Sequence, residues 1–339
     1  MKYFTLQCDR QAVYWSCFDR ILDKDNNMSF VYAINDVLFS ILSDTKIVLD
    51  ENLVGQWNTE DERHLVKQIG LMKSVIVSPN MVICYAGNNI DNAAELLRKV
   101  KNSSCNLDEI ISAAFEIHST SGKDAIEFII AYGDSVRREL VSIKDHQIYR
   151  NCKEAWLGSF EAYKEFRRLE SEISTDDVKG KKSITYTDDG KFVEEDIDEN
   201  IIRSYKKEEC FSKVVYSGCD SSVGGMPVRI RWMEYEDTFQ YMEGIIAVSS
   251  NWLQILKPGD SIEFLQGADK GSFCCNVYQS SRNYCCYVYE NECGIVFTDD
   301  VVYDLGLEGM KFPKLFKIDK KSFDEIAKQN GAHSNIGFQ

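Results

Sequence analysis

The sequence predicts an α+β fold, on three observations. Short runs rich in Val, Ile, Tyr, Phe and Cys recur in pairs broken by turn residues, the signature of antiparallel hairpins. Between those pairs lie segments whose apolar residues recur at helical spacing. The order of the pieces is two hairpins, two helices, a strand pair, two helices and a further strand pair. That order suggests two antiparallel sheets stacked between helical layers, an αββα sandwich.

Each element has a local reason. Residues 1–27 read as a hairpin broken at Asp9-Arg10-Gln11, with Trp15, Phe18, Ile21 and Leu22 as core material. SFVYAINDVLFSILSDTKIVLDE gives a second hairpin around Asn35-Asp36, and the polar run 51–70 reads as a loop or insertion. LMKSVIVSPNMVICYAG gives two strands around Ser78-Pro79-Asn80. NNIDNAAELLRKVKN and NLDEIISAAFEIHSTS read as helices, the second opening with Asn106 and Glu109 at capping-box spacing. DAIEFIIAYGD and ELVSIKDHQIYR read as two strands and FEAYKEFRRLESEI as the third helix. Residues 170–199 turn acidic, and SITYTDDGKFVEED within them reads either as a protruding hairpin with an Asp-Gly turn or as a mobile acidic insertion. DENIIRSYKKEECFSKVVYSG is the fourth helix, and glycines then lead into long strands.

From residue 250 onward, GSFCCNVY, YCCYVYEN and CGIVFTDD read as three successive strands, and KKSFDEIAKQNGA as a short terminal helix with Ser322 or Asp324 near its start. The expected organisation is one domain over 1–249 carrying the acidic insertion 170–199, and a β-rich extension over 250–339. That extension is expected to lengthen the sheets or cover an edge strand.

The chain has 339 residues, is 44% hydrophobic and carries a formal net charge of −15. Such an acidic chain repels phosphate backbones, so nucleic-acid binding through a basic field is not expected. The N-terminus lacks the apolar region of a signal peptide, and no run is long enough to span a membrane, so a cytoplasmic, reducing setting with free thiols is expected. None of the twelve cysteines forms a CxxC pair, and no metal or cofactor is expected. The doublets Cys274-Cys275 and Cys285-Cys286 read as small apolar side chains filling a sheet, with a soft-metal or redox cluster as the alternative.

Several motifs, taken in order, resemble one family. VLFSILSDTKI resembles a strand ending in an aspartate, here Asp44. KSVIVSPNMVICYAG resembles a lysine-led strand pair ending in Ala-Gly, here Lys73 and Gly87, and DNAAELLRKV resembles the helix that follows. AWLGSFEAYKEF resembles an Ala-x-Gly-Ser-Gly stretch, with Ser159 on the serine and Phe160 in place of the second glycine. DSSVGG resembles Asp-x-x-Ser-Gly-Gly, with Asp220, Gly224 and Gly225 matching and Val223 where the serine is expected. On these residues, 28 to about 248 resemble a proteasome-type Ntn-hydrolase subunit.

The resemblance implies a chemistry. In such a hydrolase the N-terminal side chain attacks a carbonyl, and its own α-amine, with an ordinary pKa near 8, takes the proton. A lysine lowers the nucleophile's pKa, an aspartate holds lysine and amine, and a glycine N–H stabilises the oxyanion. Lys73, Asp44, Asp220 and Gly87 match those roles, Ser159 matches a further site serine, and the nucleophile position falls at Met28 or Ser29. Ser29 serves only if residues 1–28 are removed. The readings carried forward are a catalytically silent proteasome-like scaffold or sensor in a homo- or hetero-oligomer, an active peptidase or amidase with Ser29 as nucleophile, and an αβ protein-binding module. The plain alternatives are that Lys73 is a solvated strand-end charge and that Asp44 and Asp220 are turn residues.

Overall fold

The computed structural model describes residues 29–46, 70–87, 90–101, 106–121, 126–186, 192–248, 253–256, 273–289, 292–298 and 313–334. The expected hairpin at 1–27 and most of the loop at 51–70 lie outside the described residues. Strands β1 (Phe30–Asn35) and β2 (Phe39–Ser43) pair around the turn 36–38, and β3 (Ser74–Ser78) and β4 (Met81–Ala86) pair around Pro79-Asn80. Helices Ile90–Lys101 and Leu107–Thr120 follow. The second is closed at its start by both arms of a capping box: Glu109 N–H donates to Asn106 Oδ1 at 3.1 Å and Asn106 N–H to Glu109 Oε2 at 3.0 Å. Such a cap contributes about 1 kcal/mol.

Next come β5 (Glu127–Gly133), β6 (Arg138–Lys144), β7 (Gln147–Tyr149), β8 (Glu154–Gly158) and the helix Phe160–Ser171. A short helix, Thr175–Val178, precedes the hairpin β9 (Lys182–Tyr186) and β10 (Phe192–Asp196), so the acidic segment forms the hairpin. The helix Glu199–Ser217 leads to β11 (Val228–Met233), β12 (Thr238–Tyr241), β13 (Gly244–Val248) and β14 (Leu253–Leu256). Beyond these lie β15 (Phe273–Val277), β16 (Gln279–Ser280), β17 (Tyr284–Val288), β18 (Cys293–Phe297), β19 (Lys314–Lys317), the helix Lys320–Gln329 and β20 (Ala332–His333).

The molecule is a mixed α+β protein with antiparallel sheets. A seven-stranded sheet runs β20-β16-β12-β11-β2-β1-β8, a five-stranded sheet β3-β4-β5-β6-β7, and a six-stranded sheet β14-β13-β15-β17-β18-β19. Strand β1 is buried on both faces, which is why it reads as a continuous apolar run. Val31 and Ala33 join the cluster that includes Val82, Ile83, Ile129 and Val141 of the five-stranded sheet. Phe30, Tyr32 and Ile34 face the other way, onto Ala162, Phe166, Phe211 and Val214 of the helices Phe160–Ser171 and Glu199–Ser217. Phe30 stacks on Phe211 with ring centroids 4.9 Å apart, and Tyr32 lies 4.4 Å from Phe166. The helices Ile90–Lys101 and Leu107–Thr120 pack on the five-stranded sheet.

The two stacked sheets have distinct ends. The end of β2, the start of β3, the end of β4 and the end of β8 meet at one, as the bonds from Lys73 to Asp44 and from Ser159 to Ser29 require. The turns at 36–38, 79–80, 134–137 and 234–237 gather at the other, where Phe239 N–H donates to Pro79 O at 2.6 Å and Gly133 N–H to Asn80 O at 3.0 Å.

The structure departs from the expected elements in several places. ELVSIKDHQIYR is two strands rather than one, because Asp145 (φ +51) and His146 (φ +57) turn the chain in the left-handed region. Glu154–Gly158 is a strand that local pattern did not announce; its pairing with β1 supplies what its short sequence lacks. The terminal helix runs Lys320–Gln329 with Ser322 near its start, as expected, and is capped by Asp319: Asp319 Oδ1 accepts Ser322 N–H at 3.0 Å. Strands β16 and β20 extend the seven-stranded sheet beyond β12, while β13 joins the six-stranded one, so pairing crosses residue 250 in both directions. Cys275, Cys285 and Cys286 are fully buried in that sheet. Among the described residues no group of His, Cys, Asp and Glu is arranged to hold a metal, and no helix is long and apolar enough to cross a membrane.

Candidate functional site

Asp44 follows the last residue of β2 and Lys73 precedes the first of β3, so both stand at the same end of the stacked sheets. Lys73 Nζ lies 2.9 Å from Asp44 Oδ1 and 3.0 Å from Oδ2, with side chains 3% and 0% exposed. Lys73 is therefore no solvated strand end. Asp44 Oδ1 also accepts the N–H of Phe30 at 2.8 Å, and Oδ2 the N–H of Gly224 at 3.2 Å. Lys73 Nζ donates further to Lys46 O. Burial pushes the Asp44 carboxyl up and the Lys73 ammonium down, and the attraction between the two opposes both shifts.

The same network reaches the other site candidates. Ser29, half-buried, directly precedes Phe30, and its carbonyl accepts the N–H of Ser159 at 2.7 Å. Gly158 permits that approach. It has φ +87, and a Cβ there would stand 1.7 Å from Ser29 O, so no other residue fits. Gly87 directly follows Ala86, whose Cβ is 3.4 Å from the same point. Ser159 caps the helix Phe160–Ser171, accepting Ala162 N–H at 3.0 Å, and its hydroxyl donates to Asp220 Oδ2. Asp220 Oδ1 accepts the N–H and the hydroxyl of Ser222, each at 2.7 Å. Burial raises the Asp220 pKa, but the hydrogen bonds from Ser159 and Ser222 outweigh it and leave the carboxyl below its usual range.

Structure thus brings Ser29, Asp44, Lys73, Ser159 and Asp220 into one hydrogen-bonded chain, with Gly87 beside it. Thr45, Lys46 and Glu127 were missed. Lys46 links the two halves: its N–H donates to Gly224 O at 3.0 Å, its carbonyl accepts from Lys73, and its Nζ donates to Ser221 O at 2.6 Å. Thr45 Oγ1 accepts Met226 N–H at 2.8 Å. Gly225 (φ +73) is shaped to this contact, since a Cβ there would stand 2.5 Å from Thr45 Oγ1. The available signal was adjacency: both residues follow Asp44. Glu127 opens β5 opposite Ala86, and burial raises its pKa to about 7. Val223, in place of the expected serine, is 4% exposed and packs in the cluster of Phe30 and Phe211, so it serves the core. Phe160 lies 6.2 Å from Trp156, ring to ring. No protein-family model matches the chain, and a search of curated proteins finds no match.

Proposed function

We propose that residues 28–248 are a proteasome-subunit-like Ntn-hydrolase domain, an αββα sandwich, and that the uncut chain is a catalytically silent scaffold or sensor in a protein assembly. The observation that carries this reading is the Lys73–Asp44 pair hydrogen-bonded to the N–H of Phe30, directly beside Ser29. A lysine, an aspartate and a Ser159–Asp220 pair surround Ser29 as a hydrolase site would have them. The α-nitrogen of Ser29, however, is bound to Met28 as an amide. An amide nitrogen takes no proton near neutral pH, so the chain lacks the base the chemistry needs. The packing of helix pairs outside two stacked sheets supports the fold half of the proposal.

A second reading is favoured by one specific feature: a fully buried ion pair is an expensive thing to keep beside a serine that does nothing. In that reading, removal of residues 1–28 frees the Ser29 amine and yields a peptidase or amidase. The two readings separate by intact mass after expression, together with turnover of fluorogenic peptide amides. We expect the full-length mass and no turnover. A mature chain beginning at Ser29, with processing lost in Ser29→Ala, sinks the silent reading. A particle no larger than one chain in light scattering sinks the assembly and leaves a protein-binding module.

A further inference from the structure

The end of the sheets opposite Asp44 and Lys73 carries a second feature, independent of the hydrolase reading. Among the described residues four large hydrophobic side chains are exposed, and three stand together on hairpin turns at that end: Val37 (40%), Val136 (90%) and Tyr235 (105%). Register makes two of them neighbours. Arg231 of β11 lies opposite Ser40 of β2, so the turn after β11 runs out beside the turn before β2. Arg138 ties in the third, pairing with Glu234 and donating to Asp36 O at 3.3 Å.

These turns are held in place. Asp134 Oδ1 accepts the N–H groups of Val136 and Arg137, each at 2.8 Å, and its Oδ2 accepts the Tyr132 hydroxyl at 2.7 Å. Glu236 N–H closes the other turn on Met233 O at 3.2 Å. Beneath them Trp232, Phe39 and Phe239 pack edge to face. An exposed tyrosine has only two side-chain torsions to fix, so on a held turn beside β-branched side chains it loses little conformational freedom on binding, the property of residues that dominate interfaces. The surrounding charge selects the partner. Arg137 and Arg138 are paired with Asp134, Glu139 and Glu234, while Asp36, Glu236 and Asp237 stand exposed without a cation in ion-pair reach among the described residues. The chain as a whole, at −15, repels acidic partners.

We propose that the cluster of turns at Val37, Val136 and Tyr235 is a docking surface for a protein segment carrying lysine or arginine next to apolar side chains. Tyr235 and Val136 supply the apolar contact and Asp36, Glu236 and Asp237 meet the cations. The test uses the full chain and a fluorescein-labelled 12-residue peptide of alternating lysine and leucine, at about 150 mM salt so that diffuse attraction is screened. A glutamate–leucine peptide is the charge-reversed control. Tyr235→Ser and the double variant Tyr235→Ser/Val136→Ser are expected to weaken binding of the lysine peptide by about tenfold or more. Asp176→Asn/Asp177→Asn, on the remote short helix, is expected to leave it unchanged. Equal affinity across all variants means attraction to net charge alone and overturns the proposal, as does equal binding of the glutamate peptide. Concentration-dependent dimerisation lost in the double variant makes the surface a self-contact and overturns it too.

Discussion

Asp44 and Glu208 are both carboxylates buried against cations, and their surroundings differ. Asp44 meets one lysine, Lys73, and fills its remaining lone pairs with the N–H groups of Phe30 and Gly224. Glu208, on the helix Glu199–Ser217, meets two arginines of β11: Arg231 Nη2 at 2.7 Å and Arg229 Nη1 at 3.9 Å. There the bonding is incomplete. Glu208 Oε2 and Arg231 Nε are buried without a hydrogen-bond partner among the described residues. Burial holds the Arg229 guanidinium below its ordinary pKa, with Arg231 adding to that and Glu208 opposing it. One cluster is matched charge for charge and closed by backbone donors; the other carries a spare cation. A matched buried pair is intolerant of losing either member, because each desolvated charge has a single counterpart. An unmatched cluster tolerates losing the surplus member.

The largest expected effect is therefore at the matched pair. Lys73→Met leaves Asp44 buried without its cation and is expected to destabilise the protein by about 3–5 kcal/mol in urea unfolding. Adding Asp44→Asn to it should recover part of that loss, because the stranded charge is gone. A Lys73→Met cost no larger than that of a surface lysine would break the comparison. At the unmatched cluster the two ends are expected to differ. Glu208→Gln, which strands two guanidiniums, should cost about 2–3 kcal/mol. Arg229→Met removes only the surplus charge and one hydrogen bond, to Glu243 O at 3.0 Å, and should cost about 1 kcal/mol. Equal costs would mean that Arg229 is no surplus member of the cluster.

A third carboxylate, Glu127, sharpens the same contrast because it has no cation in ion-pair reach among the described residues. Burial raises its folded pKa to about 7, with Lys144 opposing from a distance. A carboxyl whose folded pKa lies above its unfolded value stabilises the fold while protonated. That contribution is complete below the unfolded pKa and is lost as pH rises through about 7. Allowing for its partial exposure, stability is expected to fall by about 2 kcal/mol between pH 4.5 and pH 8 on this account. Urea midpoints measured across that range should lose this slope in Glu127→Gln. A slope unchanged in the variant would remove Glu127 as its source.

Much of the fold was legible because its signals are local. The capping box at Asn106 and Glu109, the turns at 36–38 and 79–80, and the hairpin of the acidic segment each depend on a few adjacent residues. Strand β8 was not legible: EAWLG is short, runs into Gly-Ser, and becomes a strand only because β1 lies beside it. The break in ELVSIKDHQIYR was hidden for a different reason, since Asp and His carry no glycine to announce a left-handed turn.

The site divides the same way. The sequence by itself determined which side chains were available and where turns and caps would fall, since those follow from short-range sterics and hydrogen bonding. Only the tertiary structure decided that Lys73 and Asp44 are buried together rather than solvated apart. It also decided that Lys46 joins them to the Asp220 segment, and that Arg229 and Arg231 share one glutamate. Those contacts join residues from 21 to 175 positions apart. Charge pairing and desolvation act through space, so no reading along the chain contains them.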